Sequence, residues 1–142
     1  MIVTYDIHVA PVKSSGFKCF SFAYQSALKV RGPQALVNRW IRTLLTPLGS
    51  DLLNPKAGTP LGHLIGTHMN INTDILDTLY MSVADTNTQV QTQDIEGSYA
   101  DDECLAAAVV ERTISSADGL EVWIRIDTMS GDTVQFKAVT LQ

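Results

Sequence analysis

The last third of the chain alternates between apolar and polar positions. From Leu120 to Asp127, Val122, Ile124 and Ile126 fall on one side of an extended strand and Trp123, Arg125 and Asp127 on the other. From Val134 to Leu141, Val134, Phe136 and Ala138 oppose Gln135 and Lys137 in the same way. Together with 105 to 114 (LAAAVVERTI), and with Ser115-Ser116-Ala117-Asp118-Gly119 and Ser130-Gly131-Asp132 as turn chemistry between them, these segments predict a three-stranded antiparallel meander. One face is core. The other is polar apart from Trp123, Val139 and Leu141, and unless an N-terminal strand covers it, the last strand presents unpaired N–H and C=O groups to another chain.

Upstream the period lengthens. Leu36, Val37, Trp40, Ile41, Leu44 and Leu45 form one stripe, and Arg31-Gly32-Pro33 places a proline where its missing N–H costs nothing, so a helix is predicted from about Pro33 to just before Pro47. A second stripe, Ile75, Leu76, Leu79, Tyr80 and Val83, follows Asn72 or Thr73 as cap, with Asp74 and Asp77 near the positive end of the helix dipole. The run TNTQVQTQD after it has little helix preference except in its glutamines, so this helix either thins out or continues with only Val90 and Ile95 as anchors. Between the stripes lies Leu44 to Gly66, rich in proline and glycine yet carrying eight leucines and isoleucines. Its prolines and glycines fix turns, and the expectation is that they hold the leucines against the helices and partner chains. At the N-terminus, 2 to 9 alternates and Phe17, Phe20, Phe22 and Tyr24 form an aromatic segment, which predicts one or two strands or an extended arm.

The fold class that results is α+β, with two amphipathic helices joined by a Pro/Gly-rich loop and packed on a C-terminal antiparallel β-meander. The chain of 142 residues suits a single domain, with an N-terminal segment 1–30, a helical part 33–98 containing the loop 46–66, and the meander 105–141.

Charge narrows the partners. A net charge of -5, with ten scattered basic residues, argues against nucleic acid. Cys19 and Cys104 stand far apart with no CxxC spacing, which suits two reduced thiols in the cytosol. No stretch approaches the length of a membrane span, and MIVTYDIHVA lacks the features of a secretion signal, so the expectation is a soluble chain with no membrane contact.

Candidate chemistry is sparse. Glycosidase chemistry needs two carboxylates across a cleft; Glu96, Asp101, Asp102, Glu103 and Glu111 are the candidates, but GSYADDE reads as a solvated loop leading into a strand. His63 and His68 are five apart, His8 is remote, and neither set offers enough ligands for a structural zinc. No GxSxG, phosphate-binding loop or dinucleotide fingerprint occurs, and Gly58, Gly62 and Gly66 recur around Pro60 as loop glycines. The expectation is therefore no enzyme, no cofactor and no metal. Trp123 on the polar face reads either as cross-strand packing or as an interface anchor.

The spacing Thr46-x-x-Gly49-x5-Pro55-x-x-Gly58-x-x-Leu61, directly after an amphipathic helix and ahead of a second helix and a meander, resembles the sheath-initiator, lysozyme-like baseplate wedge family of contractile phage tails. Relatives of that family occur in type VI secretion and R-type bacteriocin baseplates. The resemblance covers residues 33 to 141. Ser50-Asp51 stands where the family has Glu-Arg, and its Glu-Pro-Arg signature ahead of the meander is missing here.

The resemblance implies a structural baseplate protein, made in the host cytoplasm and carried in the virion, that initiates the contractile sheath. It further implies six copies around the tail, with tail sheath protein, baseplate wedge proteins and the tail tube as partners. Strand addition by first-ring sheath subunits would use Leu120 to Asp127 and Val134 to Leu141, with Leu120, Val122, Trp123, Arg125, Val134, Gln135, Lys137, Val139 and Leu141 as contacts. Thr46, Gly49, Pro55, Gly58 and Leu61 would be a structural loop motif, and Leu36 to Leu61 would face the core and the wedge. The alternatives are a tail terminator or completion protein, a small muramidase-like enzyme, and a plain binding module.

Overall fold

The computed structural model describes residues 9–14, 17–22, 30–64, 73–116 and 119–141. Two strands, β1 (Val9–Ser14) and β2 (Phe17–Phe22), pair as an antiparallel two-stranded sheet. They are followed by helix α1 (Pro33–Leu45), the single turn α2 (Leu61–Leu64) and the long helix α3 (Thr73–Glu96). A 3₁₀ turn at Asp101–Glu103 leads into the meander of β3 (Leu105–Ser116), β4 (Gly119–Thr128) and β5 (Thr133–Leu141), in the order β3-β4-β5. The class is the α+β arrangement expected. The first strand lies at Val9–Ser14, where the alternation pointed to 2–9; residues 1–8 are outside the described residues.

The core is a helix pair on one sheet face. Val122, Ile124 and Ile126 of β4, with Leu120, Leu105 and Ala108, meet Leu36, Val37, Trp40 and Leu44 of α1 and Leu79, Val83 and Val90 of α3. Trp40 is fully buried, its ring edge-on to Phe136 at 6.1 Å, and its indole N–H donates to Asn87 Oδ1 at 2.8 Å. Truncating a buried tryptophan of this kind costs about 3–5 kcal/mol. The α1 stripe is otherwise as predicted, except that Leu45, at the last turn, is exposed.

α3 runs unbroken through TNTQVQTQD. Val90 is completely buried, as an anchor should be, but Ile95 is 87 % exposed and Tyr80 is also exposed, so neither holds the helix. Besides Val90, the far half of α3 is tied to the rest of the domain by the polar side chains of Asn87, Gln89, Gln91 and Asp94, while its threonine hydroxyls bond only within the helix. Ser82 and Thr86 are buried, Thr86 Oγ1 donates to Ser82 O at 2.7 Å, and Thr88 and Thr92 bond back one turn in the same way.

The connecting segment also departs from expectation. Leu44 is buried and Leu61 packs on the core, but Leu48 is exposed and Leu52 and Leu53 are 94 % and 97 % exposed. Ile65 and Gly66 lie outside the described residues. What the segment buries is its polar end. Thr59 is fully buried, donates its hydroxyl to Leu44 O at 2.6 Å and its N–H to Thr46 O at 2.9 Å, and accepts from Leu48 N at 3.1 Å. Gln89 of α3 grips both backbone groups of one residue, accepting from Gly58 N–H at 3.0 Å and donating to Gly58 O at 2.8 Å. Gly58 has φ 94°, and a Cβ there would stand 2.3 Å from Thr46 O, so no side chain fits. Thr46 and Gly58 are thus in contact. Gly49 (φ 82°) makes the first turn, Pro55 lies exposed in the outer part of the loop, and Leu61 N–H reaches Ser82 Oγ at 3.3 Å.

Candidate functional site: the two edges of the meander

Turn chemistry sets the phase of the sheet. Gly131 N–H donates to Thr128 O at 3.1 Å and Thr128 N–H donates to Asp132 O at 2.9 Å, so Thr128 and Asp132 are a hydrogen-bonded pair closing a three-residue turn in which Gly131 has φ 93°. Hydrogen-bonded and non-hydrogen-bonded pairs alternate along an antiparallel ladder. With Ile126↔Val134, Ile124↔Phe136 and Val122↔Ala138 in register, and no irregularity between them, Val134, Phe136 and Ala138 turn their backbone groups toward β4. Thr133, Gln135, Lys137 and Val139 therefore turn theirs away from it. Among the described residues no strand pairs with β5 on that side.

The same phase carries across β4 to β3. Asp127 and Arg125 face β3, so Ala107 and Val109 bond to them and Ala108 points outward. Here three of the spare groups, at the start of the strand, have partners. Asn87 Nδ2 donates to Ala108 O at 2.8 Å, Gln91 Nε2 to Ala106 O at 3.2 Å, and Leu105 N–H donates to Asp94 Oδ2 at 2.8 Å. Asn87, Gln91 and Asp94 share one face of α3 by their spacing of four and three. Two register shifts, at Leu105/Ala107 and Val110/Arg112, further break this edge. The helix closes one end of the β3 edge with side chains, not with a strand.

The predicted contact residues separate accordingly. Leu120 and Val122 are buried in the core, and both edges of β4 are taken by β3 and β5, so β4 has no free ladder to offer. Val134 and Phe136 are half-buried against the core. Trp123, Arg125, Gln135 and Lys137 lie on the outer face; for Val139 and Leu141 only the backbone is described.

That outer face is a tiled set of charges. Lys137 Nζ lies 2.8 Å from Glu121 Oε2, and Trp123 donates its indole N–H to the other oxygen of Glu121. The guanidinium of Arg112 and the ammonium of Lys137 stand 5.3 Å and 5.6 Å from the centre of the Trp123 ring. Arg125 pairs with Glu111 and Asp127, each at 3.2 Å, and Gln135 Nε2 donates to Glu111 at 3.0 Å. The hydrogen bond from Lys137, and next that from Trp123, hold the Glu121 carboxyl below its ordinary pKa.

Glu103, expected in a solvated loop, is buried. Its Oε1 accepts from Gly32 N–H at 3.0 Å, and its carbonyl accepts from Arg39 Nη2 at 2.7 Å. Arg39 also forms a buried ion pair with Asp94 and stacks 4.0 Å over Tyr99. The cluster ties the start of α1 to the end of α3 and the start of β3. Glu96 is exposed at the end of α3, and Glu111 is on the outer sheet face. His63 Nε2 lies 2.8 Å from Leu48 O, while His8 and His68 are outside the described residues. Cys104 is a free thiol whose pKa is raised by burial and, after that, by Asp94. Among the described residues no group of three or more His, Cys, Asp or Glu is placed to hold a metal ion, and no helix is long and apolar enough to cross a membrane.

Sequence reasoning missed Arg39, Asn87, Gln91 and Asp94. The spacing of the last three along one helix face was the available signal. These features define a class, an α+β domain in which one sheet edge is capped at its start by polar side chains and the other pairs with no strand among the described residues. The chain matches no protein-family model, and neither a curated protein nor a solved structure is found to be similar to it.

Proposed function

We propose that this chain is a structural component of a contractile tail baseplate that starts sheath assembly by accepting an extended arm of a first-ring sheath subunit as a fourth strand on β5. The observation that carries the reading is the asymmetry of the meander. At the start of β3 the spare groups of Leu105, Ala106 and Ala108 are taken by α3, whereas β5 turns the N–H and C=O of Thr133, Gln135, Lys137 and Val139 to the side where no described strand pairs. An added strand gains backbone hydrogen bonds there, and alternate side chains set its register. The exposed Leu48, Leu52 and Leu53, held on a loop clamped by Gln89, supply an apolar contact for a wedge protein. Six copies around the tail tube, made in the host cytoplasm and carried in the virion baseplate, complete the proposal from the resemblance.

The test is sheath polymerisation from purified sheath protein, followed by light scattering. Wild-type chain is expected to shorten the lag, and Gln135→Pro, which deletes one outward N–H, is expected to restore it. A folded Gln135→Pro protein that primes as well as wild type would remove β5 as the acceptor; a wild-type chain without effect on the lag would remove the sheath-initiator reading.

A further inference from the structure

β5 and β4 carry alternating side chains over the same core, but they are covered to different depths. Val122, Ile124 and Ile126 are at most 4 % exposed, whereas Val134 and Phe136 stay half-buried while packing on the same cluster. Their phase decides what could cover them. Because Val134 and Phe136 bond to β4, they take the non-hydrogen-bonded positions of an antiparallel ladder on the side of β5 where no described strand pairs, and there facing Cα atoms approach to about 4.5 Å and side chains meet most closely. Apolar residues of an incoming strand land on them. The rungs are Gln135 and Lys137, whose partners lie on the outer face.

The two rungs differ in charge. Gln135 is a neutral amide whose Nε2 donates inward to Glu111, itself paired with Arg125, so a residue arriving opposite it finds no charge to pair with. Lys137 is the only charged residue of β5 (TVQFKAVTL), and Arg112 shares the Trp123 ring with it; Glu121 is the acid on its inner side. A cation opposite Lys137 would be repelled, and a carboxylate would gain a cross-strand partner. Taking β5 as a strand acceptor, we infer that it selects an extended segment with apolar residues at the positions facing Val134 and Phe136, an uncharged polar residue facing Gln135 and a carboxylate facing Lys137. The whole-chain charge of -5 favours a basic segment instead, so an acid preference has to come from this local arrangement.

Four nine-residue peptides titrated calorimetrically into the full chain test this. Three share the apolar alternation and carry Glu, Gln or Lys at the Lys137 rung; the fourth has the first one's composition with the alternation scrambled. The expected order is Glu, Gln, Lys, with the Glu peptide roughly fivefold tighter than the Lys peptide, and no binding of the scrambled one. Lys137→Glu should reverse the order. Lys137→Gln should flatten it, and this milder variant decides the matter where Lys137→Glu fails to fold. The same order in wild type and Lys137→Gln would overturn the charge assignment while leaving strand acceptance standing. A scrambled peptide that binds equally well would overturn the apolar assignment, and no binding by any peptide up to millimolar concentration would sink both this inference and the reading it rests on.

Discussion

β3 and β5 are the outer strands of one sheet and dispose of their spare backbone groups in opposite ways. Along its first turn of sequence, β3 hands them to α3. Asn87, Gln91 and Asp94 reach Ala108, Ala106 and Leu105 from successive positions on one helix face, and two bulges distort the strand. β5 has neither device among the described residues; its regular register leaves Thr133, Gln135, Lys137 and Val139 facing outward, with Lys137 as its single charge. A lone lysine discourages self-pairing without closing the edge to a complementary strand. The contrast is between an edge whose first residues are tied to a helix and one that no described element covers.

Removing Asp94 should damage the sealed edge most. Asp94→Ala leaves Arg39 buried without its ion-pair partner and Leu105 N–H without an acceptor, a loss of about 3–5 kcal/mol measurable by urea denaturation. Loss below about 1 kcal/mol would mean that the seal contributes little. At the free edge, proline tests the phase directly. Phe136→Pro removes an N–H bonded to β4 and a half-buried ring and should cost about 3 kcal/mol or more, whereas Gln135→Pro removes only an outward N–H and should cost about 1 kcal/mol. Equal losses would put the ladder in the other phase. Asn87→Ala takes the acceptor from Trp40 and the donor from Ala108 O at once, and should cost about 2 kcal/mol by the same denaturation assay.

The smallest effect concerns pH. Glu121 is held below its ordinary pKa by Lys137 and Trp123, so the attraction is present above the unfolded value and is lost as pH falls through the depressed folded one, a window below about 4.3. Carboxyl NMR titration should show Glu121 ionising below an ordinary glutamate, and Lys137→Gln should raise it. An unchanged midpoint in that variant would show that Lys137 is not the cause.

How far the sequence could be read follows from the same contrast. Alternation in β4 and β5 was legible because one face meets oil and the other water, and the α1 stripe was legible for the same reason. The second half of α3 was not, because its partners are backbone groups of β3 and of Gly58; Asn87, Gln89, Gln91 and Asp94 look like surface residues to any apolar pattern. The Leu44 to Gly66 segment misled in the converse direction. Its leucines suggested burial, yet Leu52 and Leu53 stand in solvent while Thr59 and the backbone of Gly58 are gripped inside. Nothing local marks Glu103 as buried, because Gly32 and Arg39 come to meet it from far along the chain. The phase of β5 needed the turn at Thr128 to Asp132, whose hydrogen bonds no alternation pattern contains.

Amide hydrogen exchange along β5, with and without sheath protein, tests the free edge most directly. In the isolated chain Val134 and Phe136 should be protected and Gln135 and Lys137 should exchange fast, and sheath protein should slow the second pair. Protection of all four residues in the isolated chain would mean that the edge is already occupied, and fast exchange of Gln135 and Lys137 that sheath protein leaves unchanged would contradict strand addition at β5.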